Sequence, residues 1–338
     1  MHPHGDITDV PGIRVGHAQD PEALTGCTAI LFPPDGAVAG MEQIGGAPGT
    51  RETDLLRTRH LVQKIHGLVF AGGSAFGLDA ASGVVTYLES QGVGFPTGAA
   101  RVPIVPSAVI YDLGIGDASI RPDAQMGRWA AERARGAEAG PLQQGNVGAG
   151  TVASVGKVLG KEWAMKGGEG SSSARLPNDV FVGALAVVNA FGDIIDRSTG
   201  EIVAGARNPS GDPPFVDTLS ILRERTGMGE LQFGRQGQKE TPGTVLGLVA
   251  VNAQLTKEEA NIIARMAVAG LARVIRPAFT LLDGDTVFAV SMGGARADTS
   301  TLGAVAAEVL ADAVMQGVRQ AKWAGDLPSC TDISRGGS

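Results

Sequence analysis

At 338 residues the chain can fold as one large domain or two, and it can bury a full core. Its formal net charge is −7 with no basic cluster, which argues against a nucleic-acid partner, and no run of about 18 uninterrupted apolar residues predicts a membrane span. High glycine (50 residues), 4% aromatics and 19% charged residues point to tight α/β packing rather than disorder.

In chain order, short strands are expected over 12–17 and 28–32, followed by a turn at Pro33-Pro34-Asp35-Gly36. Residues 40–51 are glycine-rich and read as a loop, residues 60–65 as a short helix, and residues 67–71 as a strand. The segment Gly72-Gly73-Ser74-Ala75-Phe76-Gly77 then turns into a helix through Ala80, Val84, Val85 and Leu88. This turn misses the dinucleotide spacing GxGxxG, and it misses the nucleophile elbow GxSxG because Phe76 stands where glycine is needed. It reads as a tight turn with close helix–sheet packing, although a nucleotide-binding module remains an alternative built on it.

Residues 103–113 read as a strand ending in Tyr111 and Asp112, and residues 122–135 as a helix carrying Trp129 and Arg133. A second glycine-rich stretch, 145–156, leads to Lys157. The unbroken apolar run 180–188, ending at Asn189, predicts a strand covered on both faces. A hairpin is expected over 193–203 and a helix over 215–225, and then a polar stretch, 228–242, runs up to Gly243 and Thr244.

After Thr244 the pattern sharpens. Residues 245–251 predict a strand. Thr256 and Glu259 form a capping box opening a helix with Ile262, Ile263, Met266, Ala267, Leu271 and Val274 on one face. Asp283-Gly284-Asp285 is a turn before a strand over 286–290, and a last helix carries Leu302, Val305, Ala306, Val309, Leu310 and Ala313. Residues 244–338 thus form a β-α-β-α unit. The two cysteines, Cys27 and Cys330, and the five histidines offer no metal-ligand spacing, and residues 1–6 lack the regions of a signal peptide. A cytoplasmic protein with reduced thiols is therefore expected.

If the Gly243–Thr244 bond is cut, Thr244 gains a free amine beside its hydroxyl. A terminal amine with a pKa of about 7.7–8.0 can serve as that hydroxyl's base. Taken by itself, however, a threonine before a β-branched apolar run is simply a good strand opener.

Resemblance adds to this. Residues 244–252 (TVLGLVAVN), 283–290 (DGDTVFAV), 71–79 (AGGSAFGLD), 106–112 (PSAVIYD), 148–157 (GAGTVASVGK) and 185–189 (LAVVN) resemble, in the same order, motifs of the DmpA-like peptidases. These are N-terminal-nucleophile aminopeptidases, a family that includes the 6-aminohexanoate (nylon) oligomer endo-hydrolases. The resemblance implies an α/β fold, a four-layer α/β/β/α sandwich of the DmpA and ornithine acetyltransferase type. It implies self-cleavage between Gly243 and Thr244 into a large chain 1–243 and a small chain 244–338 that together form one intertwined domain.

By the same resemblance, Thr244 is the nucleophile and Lys157 the lysine beside it. Asn189 faces the developing oxyanion and Tyr111 assists at the same carbonyl. Asp283 and Asp285 serve self-cleavage and orient the nucleophile. No cofactor or metal is implied. The partners implied are a small peptide or amide substrate and further copies of the chain, in a tetramer or larger. Threonine at 244 leans towards the oligomer hydrolases, whereas the aminopeptidases carry serine. Acyl transfer to an amine, as in the ornithine acetyltransferases, is the alternative reaction.

Overall fold

The computed structural model describes residues 4–225 and 242–335. Two mixed sheets lie face to face, and a pair of helices covers the outer face of each.

The first sheet orders its strands Arg14–Asp20, Thr25–Leu31, Gly67–Ala71, Ser107–Val109 and Thr50–Arg51. The helices Ala80–Ser90 and Ala124–Glu132 pack on it through Ala80, Val84, Met126 and Ala130, against Ala29, Leu31, Val69 and Ala71. The second sheet runs Gly168–Leu176, Val180–Asn189, Thr244–Ala253, Thr286–Ala295, Ala37–Gln43 and Lys64–Ile65. Its outer face carries the helices Lys257–Val274 and Thr299–Arg319.

The Thr244 strand shows why these runs are apolar at every position. Successive strand side chains point to opposite faces. Val245, Val249 and Val251 therefore pack towards the helices with Ile263, Leu271, Leu302 and Leu310. Leu246, Leu248 and Ala250 pack between the sheets with Ile30, Leu68 and Phe70. Both faces are dry, so nothing polar is called for on either. The strand pairs antiparallel with Val180–Asn189, placing Thr244 opposite Asn189, and parallel with Thr286–Ala295.

The predicted capping box is formed: the Thr256 side chain accepts from Glu259 N, and Glu259 returns to the Thr256 backbone. The hairpin appears as Asp193–Ile195 and Ile202–Ala204. Among the described residues one helix, Thr299–Arg319, is long and apolar enough to cross a membrane, and most of it is buried against the sheet. Both cysteines are buried, and Cys330 Sγ donates to Val318 O.

Three expectations need correction. Residues 40–51 are largely not loop, because Ala37–Gln43 is a strand of the second sheet and Thr50–Arg51 joins the first. Gly40 marks close packing there, since a Cβ on it would lie 2.3 Å from Asn261 N in the helix above. Residues 60–65 form no helix: Lys64 and Ile65 pair with Val38 and Ala37 as an edge strand. Only Ser107–Val109 of the expected strand over 103–113 pairs. Pro103 and Pro106 lack the N–H a ladder needs. The polar run expected over 228–242 lies, except for Pro242, outside the described residues.

Candidate active site

Thr244 stands at the head of its strand, buried at the floor of a cavity of about 180 Å³. Three chain segments make the walls: Ala47-Pro48-Gly49, the Ser74-Ala75 turn, and Val109-Ile110-Tyr111. Leu281 and Leu282 close one side, and Pro242 and Gly243 themselves fill part of the space. The Ser74 turn approaches because Gly73 takes a left-handed backbone, φ 79°, and its N–H donates to Asp112 Oδ1 at 2.6 Å. An internal carboxylate thus occupies the amide that a phosphate would need, which leaves the nucleotide reading without support. A larger cavity of about 740 Å³ lies among Ile13, Arg14, Phe32 and Phe181, remote in the chain from Thr244 and its neighbours. Size alone does not locate the chemistry.

The peptide before Thr244 is held at each polar group. The Thr244 hydroxyl donates to the carbonyl of Gly243, the residue before it. The same oxygen accepts from Gly284 N at 3.1 Å. Gly243 N donates to Leu282 O at 3.1 Å, and the Pro242 carbonyl accepts from Lys157 Nζ at 2.9 Å. The next amide, Val245 N, donates to Asp285 Oδ1 at 2.6 Å. Gly284 was legible only as the centre of a DGD turn. Its backbone donor comes so close that a Cβ would lie 2.8 Å from Thr244 Oγ1 and 2.6 Å from Ala47 O.

The sequence-predicted residues converge here. Lys157 Nζ donates to Asn189 O at 3.0 Å and Asn189 Oδ1 at 2.8 Å besides Pro242 O. Three acceptors match the three donors of an ammonium. Burial pushes Lys157 down to about 7, against the upward pull of Asp283, Asp112 and Asp285. Asn189 lies opposite Thr244, but its Nδ2 donates to Tyr111 O at 3.1 Å. The Gly243 carbonyl thus takes its donors from Thr244 and Gly284. Tyr111 lines the cavity.

Asp283 accepts from Phe191 N at 3.2 Å, Thr280 N at 3.0 Å and Thr280 Oγ1 at 2.6 Å. Burial raises it, against these donors and Lys157. Asp285 is raised by burial and then by the charge of Asp283. Two buried carboxylates, one raised by the charge of the other, resist holding two negative charges at once. Among the described residues no group of three or more His, Cys, Asp and Glu side chains is arranged to hold a metal ion.

Sequence reasoning missed a second buried polar cluster. Glu169 Oε2 accepts from Thr28 Oγ1 at 2.6 Å, and His17 Nδ1 lies 3.3 Å from Glu169 Oε1. Nearby in the chain, Lys166 is fully buried with Nζ on Ala153 O at 2.9 Å. Nothing in a residue's letter distinguishes these from surface charges.

Comparison with known proteins fits this geometry. The profile of peptidase family S58 matches residues 5–326. An uncharacterised aminopeptidase of Mycobacterium tuberculosis is 39% identical over 98% of this chain and 98% of its own length. A 6-aminohexanoate-oligomer endohydrolase of an Agromyces species is 32% identical over 91% of this chain and 84% of its own. Among solved structures, the L-aminopeptidase D-Ala-esterase/amidase of Ochrobactrum anthropi, described as a variant of the Ntn-hydrolase fold, superposes with a TM-score of 0.72. It is 18% identical, covering 98% of this chain and 92% of that one. A Burkholderia β-aminopeptidase gives 0.69 at 20% identity over 99% and 94%. The sandwich described above is the fold these structures share.

Proposed function

The chain belongs to peptidase family S58, and we propose that it is an amide hydrolase that cuts its own backbone between Gly243 and Thr244 and then uses Thr244 as an N-terminal nucleophile. The observation that carries this reading is the hydroxyl of Thr244 resting on the Gly243 carbonyl, with Gly284 N–H on the same oxygen.

In self-cleavage, Thr244 Oγ1 bonds to the Gly243 carbonyl carbon, with Gly284 N–H stabilising the oxyanion. The C–N bond then breaks and the hydroxyl proton ends on the Thr244 nitrogen. Water opens the resulting ester, leaving a Gly243 carboxylate, the free hydroxyl and a terminal amine. That amine takes the hydroxyl proton in each later turnover and hands it to the leaving amine of the substrate. A second water releases the acyl group. Where Lys157 carries its proton, its charge favours the neutral form of the new amine. Asn189 supplies structure to Lys157 in the uncut chain, and its amide becomes an oxyanion donor only by exchanging Tyr111 O for the substrate carbonyl.

The names of the relatives, aminopeptidase and oligomer endohydrolase, support peptide or linear oligoamide substrates. Residues 1–243 and 244–338 remain one body after the cut, because the Thr244 strand is interior to the six-stranded sheet. The test is intact mass. Purified protein resolves into 1–243 and 244–338, whereas Thr244→Ala stays whole and hydrolyses no amide. An uncut wild-type protein that hydrolyses amides overturns the reading.

A further inference from the structure

The two residues ahead of the scissile bond are held as a ligand would be held. Their backbone reads, from Pro242 onward, carbonyl, N–H, methylene, carbonyl. Lys157 Nζ donates to the first carbonyl at 2.9 Å. Leu282 O accepts from the N–H at 3.1 Å, and Gly284 N donates to the second carbonyl at 3.1 Å. The methylene sits where nothing larger fits. A Cβ on Gly243 would lie 2.2 Å from Phe191 N, 2.3 Å from Asp283 Oδ1 and 2.9 Å from Ala190 C. These are backbone atoms and an anchored carboxylate, so they cannot swing aside as the end of a flexible side chain would. The backbone of Gly243 is not left-handed, so space rather than conformation demands glycine.

Self-cleavage and substrate hydrolysis pass through the same kind of ester on Thr244 Oγ1. The acyl group of a substrate therefore meets the environment that Pro242 and Gly243 meet. Withdrawal of these two residues after a cut would enlarge the cavity and leave Lys157 with one acceptor fewer, Leu282 O without this donor and Gly284 N without this acceptor.

Resting on the reading of Thr244 as nucleophile, we propose that the acyl subsite is a template of Pro242–Gly243 and selects N-acylated glycyl groups, so that the enzyme cuts after an internal glycine rather than releasing a free N-terminal residue. A substrate of this class restores all three hydrogen bonds. A glycine with a free ammonium leaves Lys157 without its acceptor and sets two cations together. A longer ω-amino acyl group avoids the Cβ clash but carries its next carbonyl past Lys157. An L-alanyl group meets Phe191 N and Asp283.

The experiment uses wild-type protein, first checked by mass for the cut, and four p-nitroanilides: N-acetylglycyl, free glycyl, pentanoyl and N-acetyl-L-alanyl. Pentanoyl matches N-acetylglycyl in length and lacks the inner amide. N-acetylglycyl anilide is expected to have a kcat/KM about tenfold or more above each of the others, the scale of one hydrogen bond to a charged donor. Pentanoyl turnover equal to N-acetylglycyl turnover, or preference for free glycyl or N-acetyl-L-alanyl, overturns the template while leaving Thr244 as nucleophile intact. Cut protein that hydrolyses none of the four also overturns it. Uncut protein that hydrolyses any of them overturns both this inference and the reading beneath it.

Discussion

Replacing Lys157 by methionine tests how the scissile peptide is held. Methionine fills a similar volume and removes all three donors. Asn189 Oδ1 keeps a donor in Ser154 N at 3.0 Å. Asn189 O and Pro242 O lose the donor that Lys157 gives each of them. A buried acceptor left without its partner costs about 1–3 kcal/mol, so two give about 2–6 kcal/mol. Removing a buried ammonium returns part of that, since burial already pushes Lys157 down to about 7. A net loss of about 2–4 kcal/mol is expected. Unfolding entropy of about 2.1 cal/mol/K per residue over the chain gives about 0.7 kcal/mol/K, hence a Tm lower by about 3–6 °C. The larger effect falls on cleavage. With Pro242 unheld, the Gly243 carbonyl drifts relative to Thr244 Oγ1, and about 1 Å of misplacement slows a positioned reaction about 100-fold. The assay is intact mass against time after purification, with melting curves compared in a Thr244→Ala background, where both chains stay uncut. Cleavage at the wild-type rate, or a Tm within about 1 °C of the Thr244→Ala chain that keeps Lys157, refutes the reasoning.

The remaining predictions are separate. Gly243→Ala should fold but stay uncut over a period in which wild type is fully processed, because its Cβ must displace Phe191 N or Asp283; two fragments at the wild-type rate would contradict this. Lys166→Met probes pH. Burial lowers Lys166 to about 7 from 10.5, so between those values the unfolded chain holds a proton that the folded chain lacks. Wild-type stability should therefore rise relative to the variant from pH 7 to pH 9, by up to about 1.4 kcal/mol per unit, in paired urea titrations. A flat difference would show that Lys166 keeps its charge. Gly127→Ala sets a Cβ 1.9 Å from Ala80 O, between the helices of the first sheet. It should lower stability by about 1–3 kcal/mol in urea unfolding and leave the extent of self-cleavage unchanged; unaltered stability would mean that the helices separate at no cost.

The second half of the fold was the more legible in the sequence. Residues 245–251 and 180–188 announce strands with two dry faces, and Thr256 with Glu259 announces the helix start, because each signal is local. Glycine misled. At Gly40 and Gly284 it marks contact between elements far apart in sequence, and a single chain of letters says which residue is small but not what crowds it. Lys157, Asn189, Tyr111, Asp283 and Asp285 were gathered by resemblance, and the structure brings them around Thr244. The donor on the Gly243 carbonyl escaped notice because it is a backbone N–H, which every residue but proline carries. The burial of Lys166, Glu169 and His17 escaped for the reason that charge is read as surface until a fold encloses it.

A cut at the head of an interior strand changes what unfolding means. The uncut chain refolds as a single body, whatever its dilution. With the backbone severed as proposed, the sheet would be completed by a separate polypeptide of 95 residues (338 − 243), and reassembly would become a second-order encounter. Recovery after denaturation should then depend on protein concentration, and a dilute sample, once melted, has lost the tether that first threaded its central strand.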